Sequence, residues 1–173
     1  MEHMSNHTTI GAIILALTLV FSFQPAQADD QSGSYQMSVV LDRAHGDIVS
    51  SGNFEKAILR ISSRHSRFPY ASATNLCVAH TMVGQFKHAE HYCDEALVEA
   101  EKAAARGMRK GRDYTAEWAL AYSNRGVLRA RMGDTSGAGE DFRMAIELKA
   151  DTDVPMNNLA RLNPEPTESF VAK

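Results

Sequence analysis

Between Ala119 and Ala150 the chain is written as two helical runs separated by a Gly133–Asp134 step. In the first run Tyr122, Gly126, Val127 and Ala130 recur at helical spacing. In the second, Ala138, Phe142, Ala145, Ile146 and Leu148 do the same. A short glycine-containing turn between two such runs makes an αα-hairpin. The small residues Gly126, Ala138 and Ala145 let the two backbones approach closely. Tyr122 and Phe142 are large enough to fill the space towards neighbouring hairpins.

The pattern recurs along the chain. Tyr70 to Glu101 carries Ala73, Leu76, Cys77, Gly84, Phe86, Ala89, Cys93 and Ala96 at the corresponding places. A more worn copy begins at Ser38. Its helices are read over Met37 to Ser51 and Phe54 to Ser63, with Gly52, Ala57 and Ile61 in register. His45 stands there where the better copies have Cys77 and Gly126. Gly84 and Gly133 are too far apart for adjacent copies, so Lys102 to Trp118 is an insertion. Ala103, Ala104 and Ala105 favour prolonging the preceding helix through Arg106. A basic loop, Met108-Arg109-Lys110, follows between Gly107 and Gly111, and Asp113 or Thr115 is placed to cap the next helix near Ala116. After Ala150, Asp151 to Asp153 offers another cap and Pro155 suits a first turn. Met156, Asn158, Leu159 and Ala160 then repeat the opening of the unit, and Pro164 and Pro166 stop it.

These landmarks resemble the tetratricopeptide repeat, a helical-hairpin unit of 34 residues. With Ala119 as the first position, Tyr122, Gly126, Gly133, Ala138, Phe142 and Ala145 match the family's landmark positions. The chain departs from the family at Arg125 and Arg129, where an apolar and an aromatic residue are usual, and at Ala150, where proline is frequent. The resemblance covers Ser38 to Leu162. It implies an all-α fold: repeats at about 38–69, 70–101 and 119–150, the insertion 102–118 and a capping helix at 153–163, stacked as a short right-handed solenoid. Residues 164–173 read as a disordered tail. The family's concave groove, which takes protein or peptide ligands, falls here on Thr74, Asn75, Val78 and Met82, and on Leu120, Ser123, Asn124, Val127 and Arg131. Asn75 and Asn124 share the sixth position. A carboxamide there either bonds an extended peptide's main chain with both its donor and its acceptor, or fixes helix packing. The basic residues of a carboxylate-gripping clamp are not at the usual groove positions, so capture of a C-terminal carboxylate is not expected.

Residues 1–28 read as a leader. Ile10 to Phe23 carries no charge, and Ala26-Gln27-Ala28 supplies an A-x-A cleavage site. The run is short for a bilayer span, which needs about 20 residues. The leader departs from the usual pattern in having no Lys or Arg. With no Cys near the cleavage site, a lipid anchor is not expected. The expected mature chain begins at Asp29, has no integral membrane segment and lies across the inner membrane, in the bacterial periplasm. Residues 29–37 read as a flexible lead-in. Export places Cys77 and Cys93 in an oxidising compartment. They fall on facing positions of one hairpin, and are either disulfide-bonded or two buried thiols.

A pI near 6.1 and a net charge of −3 argue against a dedicated nucleic-acid binder. The basic residues Arg106, Arg109, Lys110 and Arg112, followed by Arg125 and Arg129, are either a solvated face balanced by Glu101, Asp113 and Glu117 or a patch for an anionic partner. His80, His88 and His91 lie on facing helices, yet no carboxylate completes a recognised metal motif, and solvated histidines are the simpler reading. No G-x-S-x-G, phosphate-cradling loop or H-E-x-x-H occurs. The sequence therefore predicts a non-enzymatic module without metal or cofactor that binds a protein or peptide in a groove. Self-association as a homodimer is the second reading, and metal handling by the histidines the third.

Overall fold

The structure, a computed structural model, describes residues 34–42, 45–63, 68–108, 114–148 and 153–162. Residues 1–28, read from sequence as a leader, the basic residues Arg109, Lys110 and Arg112, and residues 164–173, read as a tail, lie outside the described residues. All regular structure among the described residues is α-helical. The helices are α1 (Gly46–Ser50), α2 (Phe54–Ser62), α3 (Pro69–Met82), α4 (Phe86–Met108), α5 (Thr115–Arg131), α6 (Thr135–Glu147) and α7 (Val154–Leu162). Each packs mainly on its neighbours in sequence, most closely in the pairs α3–α4 and α5–α6.

The same turn is made three times. Gly52, Gly84 and Gly133 have φ of 78°, 75° and 87°. After each, the next residue's N–H reaches back five residues: Asn53 to the Ile48 carbonyl, Gln85 to His80 and Asp134 to Arg129. Each glycine's own N–H bonds three residues back, to Val49, Thr81 and Ala130. This is a Schellman closure, and the left-handed residue at its centre is cheap only for glycine. Asp134 then starts α6 by accepting from the Gly137 N–H at 2.9 Å.

The two clear helix pairs are pinned by one recurring contact. Residues sixteen apart meet across the turn, Cys77 with Cys93 and Gly126 with Phe142; His45 and Ile61 hold the corresponding places in the first pair and are buried. All but Gly126 are at most 5% exposed, and Gly126 is buried too. A Cβ added at Gly126 would lie 2.6 Å from the Phe142 ring, so the glycine makes room for that ring. In the preceding pair the same place holds a disulfide, Cys77–Cys93, with a Cα–Cα distance of 4.7 Å. Ala57, Ala89 and Ala138, one in each second helix, are fully buried where the helices cross.

Three local expectations are corrected. The helix expected over Met37 to Ser51 forms only as α1, from Gly46. Residues 34–40 are extended, with Ser34 to Met37 anchored as described below, and the Asp42 N–H turns back to the Val40 carbonyl at 2.9 Å. Asp42 ends it: Asp42 Oδ1 accepts from the N–H groups of His45 (2.9 Å) and Gly46 (2.8 Å). Thr115 is the first residue of α5, not its cap; Tyr114 holds the cap position. The expected extension of the preceding helix goes further than Arg106, as α4 runs to Met108.

Candidate peptide-binding groove

The first helices of the two clear pairs, α3 and α5, together with α7, each carry one deeply buried asparagine. Asn75, Asn124 and Asn158 are at most 1% exposed. A buried carboxamide needs both its donor and its acceptor satisfied. Here each is satisfied by the main chain of one residue of the extended segment. Asn158 Oδ1 accepts from the Gln36 N–H at 2.9 Å, and its Nδ2 donates to the Gln36 carbonyl at 2.8 Å. Asn124 does the same with Ser38, at 2.8 Å for both bonds. Asn75 does so with Val40, at 3.0 Å for both. Arg161 extends the series by donating to the Ser34 carbonyl.

The spacing follows from strand geometry. In an extended chain N–H and C=O of one residue lie on the same edge, and alternate residues share that edge. Residues 36, 38 and 40 therefore present a donor–acceptor pair in turn to α7, α5 and α3. The segment runs against the sequence order of those helices. The intervening residues put their side chains into the packing. Tyr35 stacks on Phe142 with ring centroids 6.3 Å apart. Met37 packs against three core groups: that of Val78 and Ala79, that of Cys77, Cys93 and Leu128, and that of Val127 and Phe142. Val39 packs against the first of these.

The balance that holds the segment is close. Six neutral hydrogen bonds contribute about 1 kcal/mol each, and three half-buried apolar side chains about 1 kcal/mol or more each. Fixing the backbone costs about 1–2 kcal/mol per residue over residues 34–40. Gain and cost are of similar size, so the segment is held without being locked.

The groove residues inferred from sequence are placed as follows. Asn75, Asn124, Val78 and Val127 lie against the segment or the groups it packs on. Thr74 and Ser123, next to the asparagines, are buried. Met82 and Arg131 sit at the ends of α3 and α5, where Arg131 Nη1 approaches Met82 Sδ at 3.7 Å. Leu120 is half-buried on α5. Sequence reading missed Asn158 as a groove residue, and missed the occupant. Both carried a signal: Asn158 stands at the same sixth position as Asn75 and Asn124, and Tyr35, Met37 and Val39 alternate with Gln36 and Ser38.

Arg125 and Arg129, read from sequence as either a balanced face or part of a patch for an anionic partner, pair with carboxylates of the chain itself. Arg125 grips Asp141 with two bonds, Nε to Oδ2 at 2.9 Å and Nη2 to Oδ1 at 2.8 Å, and reaches Asp94 at 3.1 Å. Arg129 Nη1 lies 3.0 Å from Asp141 Oδ2 and donates to the Gly137 carbonyl at 3.2 Å. The Asp141 side chain is 3% exposed, so this carboxylate is compensated by two guanidinium groups. Burial opposes the charge on Arg125, but Asp141 and Asp94 outweigh it and hold the guanidinium above its ordinary range. Among the described residues the partners are thus on α6 and α4, and not Glu117; Asp113 lies outside the described residues. Arg106 remains exposed on the last turn of α4.

The histidines form a stack. His80 is buried between Tyr92, at 5.2 Å, and His88, at 5.3 Å between ring centroids. Its Nδ1 lies 2.7 Å from Gln85 Oε1. His91 is exposed, 4.0 Å from Glu95. Parallel stacked rings do not converge on one point, and among the described residues no group of three His, Cys, Asp or Glu is placed to hold a metal ion. Also among the described residues, no helix is long and apolar enough to cross a membrane. Comparison of the chain with protein-family models, with curated proteins and with solved structures finds no match in any of the three.

Proposed function

We propose that this chain is a small exported module of the tetratricopeptide-repeat type, whose work is to grip the main chain of an extended polypeptide segment. The reading rests on the three-asparagine ladder. Evenly placed carboxamides that each take one N–H and one C=O recognise an extended backbone whatever its side chains. The glycine turns and the sixteen-residue contacts support the repeat architecture, as stacked hairpins with α7 as the closing helix. The leader pattern and the Cys77–Cys93 disulfide fit export to an oxidising compartment such as the periplasm. In this setting the module acts as an adaptor or assembly factor without chemistry of its own.

The test uses the full chain with Ser38→Pro, which removes the N–H that Asn124 accepts. A panel of fluorescent, extended decapeptides of varied sequence is titrated against it. Saturable binding by part of the panel, lost when Asn124→Ala is added, is the expected result. A panel that does not bind at all, or that binds regardless of Asn124 and Asn75, contradicts the reading.

A further inference from the structure

The groove is not empty: it holds residues 34–40 of its own chain, and that occupant shows what the groove accepts. We infer that the external partner is an extended segment of another polypeptide with apolar side chains at alternate positions, and that it must displace the chain's own segment to bind. This inference rests on the groove reading above and names its ligand class and its control.

Three observations carry it. The polar contacts are made to main-chain atoms of Gln36, Ser38 and Val40, so another extended backbone offers the same groups in the same register. Selectivity is left to the side chains between them. Those are Tyr35, on the Phe142 ring, Met37, at the meeting of three core groups, and Val39, against the group of Val78. An entering segment thus matches when its apolar residues recur every second position, with a long unbranched one in the middle. A segment with the same composition but its apolar residues grouped instead of alternating puts polar groups on some of those surfaces in every register.

Displacement follows from the second and third observations. The gains and costs of holding the segment are of similar size, as set out above. The three asparagines are nearly inaccessible while it is in place, so no second segment can pair with them without its leaving. The segment acts as a competitor in cis. Its release is the step that sets the apparent affinity for a partner, since binding is weakened by the fraction of molecules that are closed.

The test is fluorescence polarisation with two labelled peptides. One, in phase, has the sequence of residues 34–42; the other, out of phase, has the same composition with its apolar residues grouped side by side, so that no register sets them at alternate positions. Each is titrated against the wild-type full chain, Met37→Asp and Ser38→Pro, with circular dichroism to verify that the variants are folded. Met37→Asp loosens the side-chain contacts, and Ser38→Pro loosens the main-chain contacts while leaving every apolar side chain in place. The in-phase peptide is expected to bind both variants at least about tenfold more tightly than the wild type, and the out-of-phase peptide is not. Equal affinity of the in-phase peptide for wild type and variants overturns the cis competition. Equal affinity of the two peptides for a variant overturns the alternation rule. In either case, binding that still depends on Asn124 leaves the groove reading intact, whereas binding indifferent to Asn124→Ala removes both.

Discussion

Asn124 and Ser38 are 86 residues apart in sequence, yet the carboxamide of one holds both main-chain polar groups of the other at 2.8 Å. Replacing Asn124 with alanine removes both bonds at the centre of the segment. The loss is bounded by what docking contributes, because the segment can leave instead of staying with unpaired groups. Asn124→Ala is therefore expected to lower global stability by only about 1–2 kcal/mol. Asn124→Asp keeps an acceptor for the Ser38 N–H but turns a carboxylate towards the Ser38 carbonyl, and should do no better than alanine. Urea unfolding of both variants measures this. A loss several times larger would mean that Asn124 serves the helix packing itself.

Cys77 and Cys93 join α3 to α4 directly beneath Met37. A crosslink sixteen residues apart limits the unfolded chain and stabilises by about 3 kcal/mol on the entropic account. Cys77→Ala with Cys93→Ala should cost on the order of 2–4 kcal/mol in urea unfolding. Because the two cysteines of the chain are joined to each other, the oxidised chain should show no thiol reactive with a chromogenic reagent, even after unfolding without reductant. Two reactive thiols in that assay would contradict the crosslink.

Asp141 is the buried anion of a pair whose cations are partly exposed: Arg125 at 21% and Arg129 at 31%. Asp141→Leu leaves both guanidinium groups without their main partner. Their exposure reduces the penalty below that of a fully buried pair, to about 2–3 kcal/mol. Adding Arg125→Leu should restore part of it. A double-mutant cycle with zero coupling between the two positions would show that the ion pair does nothing for stability.

The glycine turns and the helix pairs they join were legible because their signals are local. Glycine at 52, 84 and 133 marks three turns, and the sixteen-residue pairs follow from the hairpin. Cys77 and Cys93 were placed on facing helices by the same count. The occupant of the groove was not legible. Met37, Val40, Ala44 and Ile48 fit a helical face as well as Tyr35, Met37 and Val39 fit a strand. The choice is made by contacts to Asn75, Asn124 and Asn158, which lie 35 to 122 residues away. Arg125 and Arg129 stood open between a balanced face and a patch for an anionic partner for a similar reason: their partner Asp141 is in the following helix, and local periodicity does not announce it.

His80 gives a pH dependence of defined sign. Burial holds it below the ordinary histidine value of 6.5, the charge of His88 adds to that, and the Gln85 contact opposes it. The unfolded chain therefore takes up this proton first as the pH falls. The contribution to stability is fully present above pH 6.5 and is lost as the pH drops through the lower folded value. Tm should decline on acidification below pH 6.5, and His80→Gln should make the decline shallower. An identical Tm–pH profile for wild type and variant would contradict this.

The claim that the groove is closed by its own chain is tested most directly by amide hydrogen exchange, resolved residue by residue. Along an extended strand successive N–H groups point to opposite edges, and only those of Gln36, Ser38 and Val40 face the asparagines. Exchange is expected to show a period of two: slow at Gln36, Ser38 and Val40, fast at Met37 and Val39, with the slow set lost in Asn124→Ala. Uniformly fast exchange over residues 34–40, or slow exchange unaffected by Asn124→Ala, would contradict it.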